Sequence, residues 1–185
     1  VGESYLAEAL GKMEALGDLP LTWHFVGRLQ ANKTRQVAER FAWVHGVDRL
    51  KIAERLAAQR PYHAPPLNIC IQVSLAQEAS KGGAPAPEVA ALAAAVAALP
   101  RLTLRGLMCI PPEESDPGHQ REWFARLRAL RDSLNRGGLA LDTLSMGMSG
   151  DFEAAIQEGA TLVRIGTALF GPRERTAAAG TIPES

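Results

Sequence analysis

Two rhythms of apolar and polar positions alternate along the chain. Short apolar runs rich in β-branched and aromatic residues, at Leu21–Val26, Trp43–Val47, Leu67–Leu75, Thr103–Pro111, Thr143–Met148 and Leu162–Ile165, read as strands. Between them the spacing turns helical. Tyr5–Leu16 sets Leu6, Leu10 and Met13 on one face, with Ser4 placed to cap it. Further helices are expected through Leu29–Thr34 to Phe41, over Arg49–Arg60 with Asp48 as cap, over Pro87–Leu99, over Gln120–Asn135 before Gly137-Gly138, and over Phe152–Gln157. Pro61–Pro66 and Pro112–Gly118 read as loops, and Val1–Ser4 as the tail of another strand. Strand and helix alternate throughout, which implies a parallel sheet joined by right-handed crossovers. Seven strands are visible, and one more would close a TIM-type (β/α)8 barrel. An open doubly wound sheet is the α/β alternative, but no GxGxxG opens the chain.

Bulk properties narrow the class. At 185 residues the chain suits one domain, taken as 1–172 with a polar tail at 173–185. That is short for a complete eight-unit barrel, for which ~250 residues is typical. The formal net charge is +0 and no basic run occurs, so nucleic acid is a poor partner. No apolar segment approaches the ~20 residues of a membrane span; the alanine-rich Val89–Leu99 is a short helix. Cys70 and Cys109 each sit inside an apolar strand, without a CxxC pattern. They read as buried, reduced thiols of a cytoplasmic protein.

Candidate chemistry gathers in Thr143–Gly171, TLSMGMSGDFEAAIQEGATLVRIGTALFG. Ser149 is placed to cap the helix at Phe152–Gln157, with Asp151 in its first turn and Gly159 as its stop. Gly166-Thr167 opens a last short helix at Ala168–Gly171. Two successive strand ends thus offer free backbone N–H groups and a hydroxyl, an arrangement that binds phosphate. In a β/α barrel the phosphate cup is commonly built from the loops after strands seven and eight. Arg164 and Gly166 share one face of their strand, roughly 6–7 Å apart, so Arg164 reaches about one ring below that phosphate.

These residues also carry a family resemblance. SMGMS through Asp151, followed by VRIGTALFG at Val163–Gly171, resembles the pyridoxal phosphate homeostasis proteins, relatives of the barrel domain of bacterial alanine racemases. WHFVGRLQANK at Trp23–Lys33 is similar to the family's WHFIG-x-LQ-x-NK, and residues 77–82 to its E-x-SK-x-G turn. The resemblance implies an α/β barrel of the fold-type III kind with a pyridoxal 5′-phosphate (PLP) site. Ser149, Gly166 and Thr167 would meet the phosphate, with Met148 and Ile165 beside them, and Arg164 would lie near the ring nitrogen. His24 would face the cofactor from the barrel interior. Ser4 stands where the family's FGEN motif has asparagine; VGES departs from it twice.

The resemblance further implies a lysine that holds PLP as an aldimine, in an AVSK-like motif at the end of the first barrel strand. No such run occurs among Lys12, Lys33, Lys51 and Lys81, so the lysine is expected upstream of Val1. The chain is then expected to lack the first strand and helix, to leave two sheet edges unpaired, and to bind PLP weakly and reversibly. The implied function is PLP binding in intracellular PLP homeostasis, without strong catalysis, by a monomer whose partners are PLP and PLP-dependent apo-enzymes. A PLP-dependent racemase or decarboxylase is the alternative. Racemisation needs an acid and a base on opposite faces of the substrate, and the racemases use a lysine and a tyrosine; this chain has only Tyr5 and Tyr62. Arginine at the ring nitrogen also leaves that nitrogen unprotonated and weakens the electron sink. A barrel enzyme acting on a phosphorylated metabolite without cofactor is a third reading, with Glu3, Asp48 and Lys81 as its weak candidates.

Overall fold

The computed structural model describes residues 1–76 and 82–171. The E-x-SK-x-G-like turn up to Lys81, and the polar tail, lie outside the described residues. The elements run β1 (Gly2–Glu3), α1 (Leu6–Ala15), β2 (His24–Phe25), α2 (Thr34–Arg40), β3 (Trp43–Val47), α3 (Leu50–Gln59), β4 (Leu67–Ser74), β5 (Ala84–Pro85), α4 (Val89–Ala97), β6 (Leu102–Met108), α5 (Pro117–Arg136), β7 (Thr143–Met148), α6 (Phe152–Gln157), β8 (Leu162–Arg164) and α7 (Thr167–Phe170). Seven strands pair in the order β1-β2-β3-β4-β6-β7-β8, every neighbouring pair parallel, with two-residue β5 added beside the end of β4. This is the expected strand–helix alternation wound into a nearly closed barrel.

Side-chain alternation divides the strands between two environments. In β4, Leu67, Ile69, Ile71 and Val73 join an apolar cluster with helix residues such as Val37, Leu56, Val96 and Phe124. The intervening Asn68, Cys70 and Gln72 stand outside that cluster on the opposite, axial side of the strand. In β7, Leu144 and Met146 pack with the helices, whereas Ser145 is buried on the axial side. Burying each large aliphatic or aromatic side chain of the outer layer contributes about 1.5–3 kcal/mol. The interior between the strands is free to carry polar chemistry.

Several local expectations need correction. Ser4 and Asp48 cap nothing: α1 and α3 begin after Tyr5 and Arg49, and neither has a side-chain cap. Asp48 instead pairs with Arg49 at 2.6 Å. The loop expected at Pro112–Gly118 ends early, because Asp116 accepts the His119 N–H at 2.9 Å and Pro117 suits the first turn of α5. Ser149 does not cap α6 either. The N-cap residue is Asp151, whose carboxylate turns back to accept the Met148 N–H at 2.6 Å. The stop at Gly159 is as expected. Gly159 adopts φ +90°, and the Gly159 and Ala160 N–H groups donate to Ile156 and Ala155, a Schellman closure. Next to it, buried Glu158 receives Arg121 and Arg128 of α5, each at 2.8 Å, and fixes α6 under the β7 loop.

Candidate functional site

A cleft of about 470 Å³ is lined by residues of β1 and β8, the two ends of the strand order, and of the loops that follow them. It gathers Ser4, His24, Met148, Arg164, Ile165 and Gly166, six of the eight residues singled out from the sequence. Ser149 and Thr167 are absent from that wall. Ser149 lines a neighbouring hollow with Gly150 and Asp151, and its Oγ accepts the Ala168 N–H at 3.1 Å. That bond ties the β7 loop to the first turn of α7. Near Gly166 there is open space, since a Cβ built there would meet no atom within 4 Å.

Arg164 turns inward, as its phase with Gly166 requires. One terminal nitrogen donates to Ser145 Oγ at 2.9 Å and the other to the Cys109 carbonyl at 2.9 Å. Burial draws its pKa down, but a guanidinium stays charged in proteins. Ser145 Oγ lies 2.7 Å from His45 Nδ1, and His45 Nε2 lies 3.0 Å from His24 Nδ1. The His24 ring stacks on Trp43, with centroids 5.2 Å apart and planes 8° from parallel. Trp43 in turn lies under the Arg105 guanidinium, 4.8 Å from its ring centre. Arg105 is held by Asp142 at 2.8 Å and Asn68 at 3.1 Å. A polar line therefore crosses the barrel from Arg164 to His24.

His45 and Ser145 were not singled out from the sequence. The signal for them is present: each is a polar residue at an axial position of a largely apolar strand, WVHGV and TLSMGM. Cys70 and Cys109 are free and buried, as expected, and burial pushes both thiols up to about 12. Such thiols are inert as nucleophiles at neutral pH. Among the described residues, no group of three or more His, Cys, Asp or Glu could hold a metal ion, and no helix is long and apolar enough to cross a membrane.

Burial is the main cause holding both histidines neutral. It lowers His24 to about 4 and His45 to about 3, with His24 and Arg164 assisting at His45. In the unfolded chain a histidine titrates near 6.5. The unfolded state therefore binds more protons below that value, so the histidines favour folding fully above about pH 6.5 and lose that contribution as pH falls toward 4. For His45 the loss between pH 6.5 and 5 is expected to be on the order of 1–2 kcal/mol. Urea unfolding at pH 7 and pH 5 should show a smaller acid loss in His45→Gln than in the unmodified chain. Equal losses would mean that His45 is not held neutral in the barrel.

With this geometry in place, sequence and structure comparisons agree with one another. Residues 1–174 match the family model for the alanine racemase N-terminal domain. A pyridoxal phosphate homeostasis protein of Pseudomonas aeruginosa is 61% identical over 173 residues, covering 94% of this chain and 74% of the relative. The protein of the same name from Escherichia coli is 51% identical over 176 residues, covering 94% and 75%. Among solved structures, PipY of Synechococcus elongatus with PLP bound superposes with a TM-score of 0.85 at 38% identity, covering 92% of this chain and 80% of that one. Alanine racemase from Corynebacterium glutamicum shares the fold, with a TM-score of 0.73 at 17% identity.

Proposed function

This chain belongs to the pyridoxal phosphate homeostasis protein family, and from that premise we propose that its cleft binds PLP, with the phosphate at Ser149, Gly166 and Thr167 and the pyridine ring over Arg164. The observation that carries the reading is the inward Arg164, held by two hydrogen bonds directly below the open N–H-bearing turn at Gly166. The residues suit the group. The backbone N–H groups of Gly166 and Thr167 have no partner among the described residues, and the Ser149 hydroxyl already reaches the same turn. PLP, when bound, supplies an aldehyde and an electron-withdrawing ring. Arg164 carries no acceptor and cannot give up its proton, so it keeps the ring nitrogen unprotonated and that withdrawal weak.

Binding and release are favoured over catalysis on chemical grounds. The titratable side chains at the cleft wall, among the described residues, are His24, His45 and Arg164. The two histidines are bonded to each other on one side, not set on opposite faces of a substrate as racemisation needs. The relatives are likewise named as homeostasis proteins and not as enzymes. No lysine among the described residues lines the cleft, so these side chains hold PLP noncovalently. We place this role in the cytoplasm, in a monomer that passes PLP to dependent apo-enzymes.

Thr167→Ala and Ser149→Ala are each expected to weaken PLP binding by roughly 0.5–1.5 kcal/mol, the net worth of one hydrogen bond. A charge-assisted bond to phosphate would put the loss at the upper end or above. Titration followed by PLP absorbance measures both. Unchanged affinity in both variants would move the phosphate elsewhere.

A further inference from the structure

We propose that Arg164, Ser145, His45 and His24 form one directed hydrogen-bond chain, in which Ser145 and His45 are positioning residues for the Arg164 guanidinium and His24 is fixed as an Nε2–H donor at the cleft wall. The direction follows from donor and acceptor arithmetic. A guanidinium only donates, so Ser145 Oγ accepts from Arg164 at 2.9 Å. Ser145 is fully buried and has a single hydrogen to place. Its close acceptor is His45 Nδ1 at 2.7 Å. His45 then carries its hydrogen on Nε2 and donates it to His24 Nδ1 at 3.0 Å. His24, with Nδ1 occupied as an acceptor, carries its own hydrogen on Nε2.

The reverse direction would have His45 Nδ1 donate to Ser145 Oγ. Oγ would then accept twice, and the buried hydroxyl hydrogen would have no acceptor. An unmade bond of that kind costs about 1–3 kcal/mol, enough to decide between two tautomers of a neutral ring. Both rings are neutral near pH 7, because burial lowers them to about 4 and about 3. The far end is held mechanically, since His24 stacks on Trp43 beneath Arg105. The near end is held twice, since Arg164 also donates to the Cys109 carbonyl at 2.9 Å. The guanidinium is thereby fixed by two acceptors, one in β7 and one just past the end of β6, with its remaining N–H groups left for a ligand.

The consequence for recognition rests on the PLP reading above. His24 offers a neutral donor, which suits an acceptor oxygen of the ligand and disfavours a donor there. Both cleft-facing ends of the chain, Arg164 and His24, are then donors. Ser145, which does not line the cleft, affects binding without touching the ligand.

The test begins with the unmodified chain, without ligand. Long-range proton–nitrogen correlation spectra near pH 7, assigned through His24→Gln and His45→Gln, should show both rings as Nε2–H tautomers. A His45 ring protonated on Nδ1 overturns the proposal. Next, Ser145→Ala should leave His45 as a mixture of tautomers and weaken PLP binding about three- to tenfold, one hydrogen bond's worth. Ser145→Thr, which keeps the hydroxyl, should restore both. Equal PLP affinity in the unmodified chain, Ser145→Ala and Ser145→Thr would overturn the positioning role. The expected tautomers in a chain that does not bind PLP would uphold the directed chain and refute the PLP reading.

Discussion

Replacing Arg164 by methionine is expected to weaken PLP binding roughly ten- to hundredfold, from the loss of a charge-assisted bond of about 1.5–3 kcal/mol. Methionine keeps much of the length and flexibility of the side chain, so the barrel interior stays filled. What disappears is the donor set: the bonds to Ser145 Oγ and the Cys109 carbonyl, and the N–H groups left for the ring. Ser145 still has His45 as an acceptor, so the main stability loss comes from the unpaired Cys109 carbonyl. Arg164→Lys should rescue only part of the affinity. An ammonium on a flexible stem does not reproduce a planar fork that spans two acceptors. Fluorescence titration with PLP measures both variants, and full affinity in Arg164→Met would remove the arginine from the site.

Gly106→Ala should be the most damaging small substitution in the barrel wall. A Cβ at Gly106 would lie 1.8 Å from the Thr143 carbonyl oxygen and 2.6 Å from its carbon. Those are backbone atoms, and Gly106 is registered directly against Thr143 in the β6–β7 pair. A side-chain rotation offers no relief, so the two strands must separate. Overpacking commonly costs 1–3 kcal/mol, and a clash with backbone belongs at or above about 3 kcal/mol. The separation would also reach the site, because Met108 pairs with Ser145 two residues further along the same strands. Urea denaturation should show a midpoint well below that of the unmodified chain, with PLP affinity reduced as well. An unchanged midpoint would mean that β6 and β7 pack less closely than described.

The elements were legible because apolar spacing changes period at nearly every boundary. Helices α1, α3, α4 and α6 lie within a few residues of their expected limits. Strands β3 and β7 coincide with them. The caps were less legible. Ser4, Asp48 and Ser149 are suitable capping types, but capping depends on where the preceding strand delivers the chain. Ser149 is drawn to the Ala168 N–H across a second loop, and Asp151 fills the N-cap position. Such a choice is made by tertiary structure.

At the site, Arg164 was legible because its phase with Gly166 is a property of one strand. His45 and Ser145 were not, because their partnership spans a hundred positions of sequence. Reading Leu67–Leu75 only as an apolar run hid the same pattern. Its Asn68, Cys70 and Gln72 alternate with Leu67, Ile69 and Ile71, and mark the axial face on which the polar line is built.

The account turns on a phosphate seat joined to a ring seat, so the most direct measurement compares PLP with pyridoxal, the same ring without the phosphate, by titrating each into the chain near neutral pH. PLP should bind clearly more tightly, by the several hydrogen bonds that Ser149, Gly166 and Thr167 would give to an anion, and Thr167→Ala should narrow the gap. Equal affinities for the two compounds, or no binding of either, would contradict it.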